Sequence, residues 1–510
     1  MQIKHTIPDN ASFSFHNNAL FCIGTGRMGL ALQKAYHDQL ALVQEDIHFS
    51  YIRGHGLFSD DMAIYQEYEE DGVITAEYNF TYLDMVMDDY LSLGLKPFLE
   101  LGFMPEKIAS GTQTVFYWKG HVTPPRDYQQ WADLIQATLR HLIDRYGREE
   151  VLSWPIEVWN EPNLPGFWKD ADMQEYFKLY EVSAKAVKEV DPGLRVGGPA
   201  ICGVDDERWL TEFLTHCSKE KLPLDFVTRH AYATELPDSV GHYHYQLLRS
   251  PKVMLDELTV SRNIIDSFPE YRGMEMHITE FNTSYTPKNP IHDTNLNAAF
   301  IARLLSEMGD TSASYSYWTF GDIFEEMGVA FTPFSGCFGL VANGMIRKPT
   351  FWTFSFYRQL KGSGVTREEN YILTKESDGT LHGIAWNPVE AVQEASDLDL
   401  SLTLPIPDGE YAFITKLVDE AVCNPLKAWL ELGSPKNPSK EQLELIQACS
   451  LPQVAIKRMS ITSGTITIPL HLSRNALLYF RLQKLSPELD RGFLPERIQG
   501  AQDETDPISP

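Results

Sequence analysis

The sequence has no excess of positive charge, no paired cysteine motif and no long apolar run. Its 70 acidic side chains outnumber 43 basic ones, for a formal net charge of −27. A nucleic-acid partner needs a basic footprint, so that class is set aside. The six cysteines (Cys22, Cys202, Cys217, Cys337, Cys423 and Cys449) form no CxxC pair and no zinc spacing. They read as reduced, mostly buried thiols. No stretch approaches the ~18 apolar residues of a membrane span. The opening Met1-Gln2-Ile3-Lys4-His5-Thr6-Ile7-Pro8-Asp9 lacks the basic and apolar regions of a secretion signal. A cytoplasmic protein without membrane contact is the expectation.

What the chain has is length, 510 residues, with 43 % of them apolar and 12 % aromatic. That is more than one ordinary domain of about 100–200 residues. Between residues 20 and 350 short apolar strands alternate with helical stretches. Strands are expected at 21–24, 51–53, 97–100, 156–159, 195–198, 226–228, 276–279 and 316–319, and helices near 30–46, 80–93, 127–147, 172–189 and 293–308. Eight such units predict an α/β fold, a closed (β/α)8 TIM barrel. The rival is an open doubly wound sheet. Gly24-Thr25-Gly26-Arg27-Met28-Gly29 has GxGxxG spacing, but no acid stands at the end of the second strand and no P-loop lysine follows. The segment reads as a tight turn, with Arg27 bracing the pocket floor.

After residue 360 the texture changes to strands at 371–374, 381–386, 398–402 and 476–480, interrupted by a helical insert near 439–448. The division predicted is a catalytic barrel over 14–355, a C-terminal β-sandwich accessory domain over 356–490 joined by residues 1–13, and a mobile tail over 491–510.

Two glutamates stand at ends of expected strands. Glu161 lies in Trp159-Asn160-Glu161-Pro162-Asn163 and Glu280 in His277-Ile278-Thr279-Glu280-Phe281-Asn282. Barrel enzymes keep their chemistry at strand C-termini, and strands four and seven face each other across the barrel. Glycosidic cleavage needs one protonated and one ionised carboxyl flanking a single bond. Pattern alone leaves the carboxylate separation, and hence retention or inversion, open. A sugar-binding scaffold without turnover is the competing class; two opposed carboxyls speak against it. His121, His242, His244 and His292 form no recognisable ligand set, so no metal is assigned.

With these residues in view, the sequence resembles glycoside hydrolase family 39, and within it the bacterial β-xylosidases, over nearly its whole length. The segments that carry the likeness are Gly24-Thr25-Gly26-Arg27, Tyr51-Ile52-Arg53-Gly54-His55-Gly56-Leu57, Trp159-Asn160-Glu161-Pro162-Asn163, Arg229-His230-Ala231-Tyr232, Ile278-Thr279-Glu280-Phe281-Asn282-Thr283-Ser284-Tyr285 and Tyr317-Trp318-Thr319-Phe320. The resemblance implies a retaining β-D-xylosidase that releases xylose from the non-reducing end of short xylooligosaccharides. Related readings are an α-L-arabinosidase, a β-glucosidase or a uronidase. It implies Glu161 as acid/base and Glu280 as nucleophile. It also implies His55, Asn160, His230, Tyr232, Asn282, Trp318 and Phe116 around the sugar, and Glu325 or Glu326, with Glu325 favoured, as a further carboxylate on sugar hydroxyls. No metal or organic cofactor is implied, and a homotetramer is. Two departures from the family pattern are expected near the pocket mouth: Phe334-Ser335-Gly336-Cys337-Phe338-Gly339-Leu340 stands for Phe-His-Gly-Gly-Phe-Gly-Leu, and Gly321 replaces a serine.

Overall fold

The computed structural model describes residues 1–389, 396–486 and 497–498. Eight parallel strands close a barrel in chain order: Cys22–Arg27, Tyr51–His55, Lys96–Leu101, Ile156–Val158, Val196–Ile201, Phe226–Tyr232, Met276–Asn282 and Ser314–Tyr317. Tyr317 pairs with Ile23 to complete the ring. Each strand overlaps the span expected for it.

The surrounding helices start and stop where local chemistry dictates. Asp127 caps Tyr128–Tyr146 by accepting from Gln129 N–H, Asp172 caps Met173–Val190, and Thr294 caps Asn295–Glu307. The helices Asp206–Glu220 and Pro251–Ser267 complete the fifth and sixth units. They were not among the helices expected from sequence, although Trp209, Leu210, Phe213, Leu214 and Cys217 make a continuous buried stripe on the first of them. Large aromatics fill the space between ring and helices: Trp131, Trp159, Trp168 and Tyr176 are fully buried, with Trp159 edge-on to Trp168 at 5.1 Å.

The helix Pro349–Gln359 runs across position 355, where the barrel was expected to end, and packs on Asn295–Glu307. Beyond it, a six-stranded sheet built from Ser363–Glu368, Tyr371–Lys375, Leu381–Trp386, Leu477–Lys484, Gly409–Val418 and Gln453–Ile461 faces a three-stranded sheet. The smaller sheet joins Leu398–Pro405 and Thr465–Leu472 to the N-terminal strand Gln2–Thr6. Thr465–Leu472 alternates exposed and buried residues strictly, as a half-buried strand must. Leu400, Leu402, Ile468, Leu470, Phe480 and Leu482 make the shared core. The tail assigned to 491–510 falls outside the described residues, apart from 497 and 498.

The helical insert is Lys440–Ala448, closed by a Ser439/Gln442 capping box. It lies with Pro425–Glu431 against the loop that follows the eighth barrel strand: Ile446 and Trp429 share a cluster with Phe334, Ala342 and Ile346. The same loop is held from inside by one buried cation. Lys348 Nζ lies 2.7 Å from Asp293, 2.7 Å from Asp322 and 2.7 Å from the Cys337 carbonyl. The two aspartates in turn accept from Gly336 and Gly339 N–H. Gly336 has φ +78° and abuts the Asn289 backbone, a position closed to a side chain. Removing the cation would leave two carboxylates facing each other without water. Lys348→Met is therefore expected to cost about 3–5 kcal/mol, read as a clearly lowered thermal midpoint; an unchanged midpoint would contradict this account.

Candidate active site

The fourth barrel strand stops at Val158, and the next residues turn sharply. Trp159 and Glu161 both take left-handed backbone, φ 73° and 44°. Such conformations cost about 1–3 kcal/mol each and persist only where the surroundings hold them. Here Trp159 is locked in the aromatic core and donates to the Phe167 carbonyl, while Glu161 N–H donates to Ala200 O at 2.9 Å. The turn places Glu161 at the cavity. Opposite it, the register of strands six and seven shifts between Arg229 and His230, so that His230 sits beside Glu280. Arg229 points instead to Asp206 and Ser261.

One carboxylate oxygen of Glu161, one of Glu280 and a ring nitrogen of His230 all lie within 4.8 Å of one another. His230 Nδ1 is 2.8 Å from Glu161 Oε1 and 3.4 Å from Glu280 Oε2. Both carboxyls line a cavity of about 550 Å³, within the range of small-molecule sites.

A single guanidinium organises the floor. Arg53 Nε donates to Glu157 at 2.6 Å, and Nη1 donates to Glu280 Oε1 at 2.9 Å. Nη2 reaches Asn160 Oδ1 at 3.0 Å and Glu100 at 2.9 Å. Tyr232 donates its hydroxyl to the other Glu280 oxygen at 2.8 Å. Burial raises the pKa of Glu280, but Arg53, His55 and the Tyr232 hydroxyl oppose that rise. Glu161 is raised well above the carboxylate range, first by burial and then by the charge on Glu280. Arg53 opposes this shift as well, but without touching Glu161. Both carboxyls are pushed upward, Glu161 the further because Arg53 and Tyr232 hold Glu280 back, and that order is the one acid-assisted displacement requires.

The other groups follow the same electrostatic logic. Burial lowers His55 to about 3 and pushes Glu100 up to about 8. His230 is held well below its ordinary value by burial and by Arg53. Both imidazoles are therefore neutral near pH 7. Glu326 is raised well above the carboxylate range by burial and by the charges of Glu280 and Glu161. It lies 3.7 Å from His55 Nε2, and its backbone carbonyl accepts from Tyr117 N–H.

The structure brings His55, Phe116, Asn160, His230, Tyr232, Trp318 and Glu326 to the same cavity as Glu161 and Glu280. Trp318 rests directly on Gly24, where a Cβ would fall 2.5 Å from its ring. Several expectations are corrected. Glu325, favoured over Glu326, does not line the cavity; it pairs with Arg27 at 2.7 Å. Arg27 itself lines a separate recess of about 150 Å³ with Asp60 and Asp61, not the pocket floor, and its Gly24–Arg27 segment is strand rather than turn. Asn282 is fully buried behind the site: its side chain donates to Trp318 O and accepts from Thr283 N–H. Ser335 and Cys337 also fall elsewhere, in a small cavity with His242 and Phe331, so only Phe338 of that segment meets the main cavity.

Sequence reasoning did not single out Glu100 and Glu157, because barrel-interior acids carry no local motif. It also missed the outer lining from Leu164, Phe167, Val204, Leu236 and Tyr285, which lies on loops. The Glu161, His230 and Glu280 donors are of metal-ligating type, but both Glu280 oxygens are already taken by Arg53 and Tyr232. Asp60, Glu106 and His121 form a second, largely exposed group.

The model of glycosyl hydrolases family 39 matches residues 5–467. The chain belongs to this family. It is 48 % identical over 485 residues to a β-xylosidase of Geobacillus stearothermophilus, covering 94 % of this chain and 96 % of that protein. It is 36 % identical to a β-xylosidase of Caldicellulosiruptor saccharolyticus, covering 88 % and 92 %. The crystal structure of a monomeric β-xylosidase from Caulobacter crescentus superposes with a TM-score of 0.86 at 32 % identity, covering 95 % of this chain and all of that one.

The opposed charges make one direct prediction. Removing the charge of Glu280 by Glu280→Gln should lower the pKa of Glu161 by about one pH unit or more, read by carbon NMR of labelled glutamate side chains. An unmoved Glu161 would show that the two groups do not sense each other.

Proposed function

We propose that this family 39 protein is a retaining β-D-xylosidase that removes xylose from the non-reducing end of short xylooligosaccharides. The observation that carries the reading is the approach of Glu161 and Glu280 to within 4.8 Å. At one oxygen of each carboxyl, that approach is closer to the roughly 5–5.5 Å spacing of retaining enzymes than to the roughly 6.5–9.5 Å of inverting ones. The substrate class rests on the full-length likeness to two β-xylosidases.

Glu280, held in place by Arg53 and Tyr232, attacks the anomeric carbon. Glu161 gives its proton to the departing oxygen and then takes one from the water that cleaves the xylosyl-enzyme. His55, Asn160, His230 and Glu326 offer hydrogen-bonding groups to the sugar hydroxyls. Phe116 and Trp318 supply flat apolar faces. Asn282 acts through Trp318 by fixing its carbonyl, and Glu325 acts through Arg27. The scheme uses no metal or organic cofactor. A cytoplasmic site of action fits the five buried free thiols. The homotetramer is the proposed assembly, for which the exposed strand Gln453–Ile461 at the edge of the six-stranded sheet offers unpaired backbone.

Proton NMR of xylobiose hydrolysis should show β-xylose first, with the α-anomer appearing only by mutarotation. Initial α-xylose would overturn retention, and no xylose at all would overturn the substrate class. Glu280→Ala is expected to lower turnover by about four orders of magnitude, with azide restoring it as an α-xylosyl azide. Glu161→Ala should reduce kcat/KM for xylobiose by about 10²–10⁴-fold while sparing an aryl xyloside with a good leaving group. Equal losses on both would remove the acid role.

Because Glu280 must be ionised and Glu161 protonated, the pH–rate profile should be bell-shaped. Activity falls on the acid side as Glu280 takes up a proton and on the alkaline side as Glu161 loses one. The alkaline limb should lie well above the ordinary carboxylate range and move to lower pH in the Glu280→Gln background, read on residual activity or by NMR titration.

A further inference from the structure

The recess beside Arg27 lies outside the reaction scheme. It holds about 150 Å³ and is bordered by Ser59, Asp60, Met104, Trp118 and His121. Trp118 packs against Phe116, which borders the main cavity, with ring centroids 5.4 Å apart. Asp60, Glu106 and His121 each bring one donor atom to this place, and the three atoms lie within 4.8 Å of one another. They come from separate segments. Asp60 is on the loop after strand two and Glu106 on the loop after strand three. His121 ends the short hairpin of Thr114–Val115 and Gly120–His121. Main-chain bonds tie these segments together. Glu106 N–H donates to both Asp60 carboxylate oxygens at 3.2 Å, and Met104 N–H donates to the His121 carbonyl at 3.1 Å.

Unused bonding capacity points to a ligand here. Ser59 is only 5 % exposed and borders the recess, yet its Oγ has no partner. His121 Nδ1 is likewise shielded from solvent and unpartnered. Buried polar atoms are nearly always paired. The nearby cations do not meet this demand. Arg27 is committed to Asp61 and Glu325, and Lys119 is exposed at the rim. Partial burial raises the pKa of Asp60; the Glu106 N–H and His121 oppose that rise, and the Glu106 charge adds to it. Two carboxylates side by side repel an anion and favour a cation.

We propose that Asp60, Glu106 and His121 form a binding site for a divalent transition cation of the zinc class, which staples the hairpin 114–121 to the barrel mouth. Zinc accepts imidazole nitrogen and carboxylate oxygen at about 2.0–2.2 Å. Ligand atoms in a tetrahedron of that size lie about 3.4 Å apart, a closure that the exposed Glu106 side chain can make. Water fills the fourth position, and Ser59 Oγ offers that water a partner. An imidazole ligand disfavours calcium and magnesium, which take oxygen donors. The cation takes no part in bond breaking. It acts on the main cavity through the hairpin, which carries Phe116 and whose Tyr117 N–H donates to the Glu326 carbonyl.

The test uses the full-length protein without an affinity tag, stripped by a chelator. Zinc chloride is titrated by calorimetry, with calcium chloride as the control, and amide hydrogen exchange of residues 114–121 is followed with and without zinc. One tight zinc equivalent is expected, with far weaker calcium binding and slower exchange across the hairpin. Glu106→Gln and His121→Gln should each weaken that equivalent by about a hundredfold or more and abolish the slowing. Glu106 is exposed, so its variant keeps the fold, as circular dichroism and thermal melting verify. Absence of a tight zinc equivalent overturns the proposal, as does calcium binding of equal strength, the mark of loose association with an acidic surface. A zinc equivalent that survives in both variants and disappears in Glu280→Gln lies in the main cavity and overturns it too. Exchange that zinc leaves unchanged overturns the staple. None of these readouts depends on turnover, so the β-xylosidase reading stands or falls separately.

Discussion

The guanidinium of Arg53 sits fully buried beneath a ring of acids, and the arrangement of the site follows from how its donors are shared. Glu157 and Glu280 each take a direct bond, Glu100 lies in contact, and Asn160 accepts the remaining one. Glu161 and Glu326 face the same space without touching the guanidinium. One buried cation cannot balance five carboxyls, so some must keep their protons. Contact with Arg53 restrains the upward shift of Glu280; distance from it, together with burial and the Glu280 charge, pushes Glu161 further up. The assignment of acid and nucleophile is therefore a consequence of which oxygens reach Arg53. Breaking such a buried arrangement by removing one partner is far costlier than its net contribution when intact.

Around this centre the fold works to hold loops still. A left-handed turn aims Glu161, and a register shift aims His230. Trp318 is seated on Gly24, with its carbonyl fixed by Asn282. The long loop after strand eight carries Glu326 and Phe338. Lys348 with its two aspartates braces it from inside, and the accessory insert through Trp429 and Ile446 from outside. The C-terminal region therefore acts at one remove on the cavity. Preorganisation of this kind is what lets charges stabilise a transition state without rearranging when it forms.

The cavity draws its lining from two sources, strand ends and loops. A residue at a strand end is placed by the barrel. A residue on a loop can change without moving the carboxyl pair.

Much of this was readable in the chain. Eight apolar runs, each followed by a helical or polar stretch, pointed to a parallel α/β fold covered on both faces, and the lack of a complete nucleotide fingerprint favoured the closed barrel over an open doubly wound sheet. Trp159-Asn160-Glu161-Pro162 and Ile278-Thr279-Glu280-Phe281 determined where the acids stand, since strand ends are local features. What the sequence could not decide was everything set by contacts between distant segments. Glu325 and Glu326 are neighbours in the chain, yet only the fold directs one to Arg27 and the other to the cavity. Asn282, in a recognisable motif, turned out to brace Trp318 from behind, and Ser335 and Cys337 were carried away from the main cavity by the turn at Gly336. The direction of a side chain at a strand end depends on register and bulges, and the protonation of a buried acid depends on which charges surround it. Both are properties of the tertiary structure, because they arise from residues more than two hundred positions apart, as Arg53 and Glu280 are.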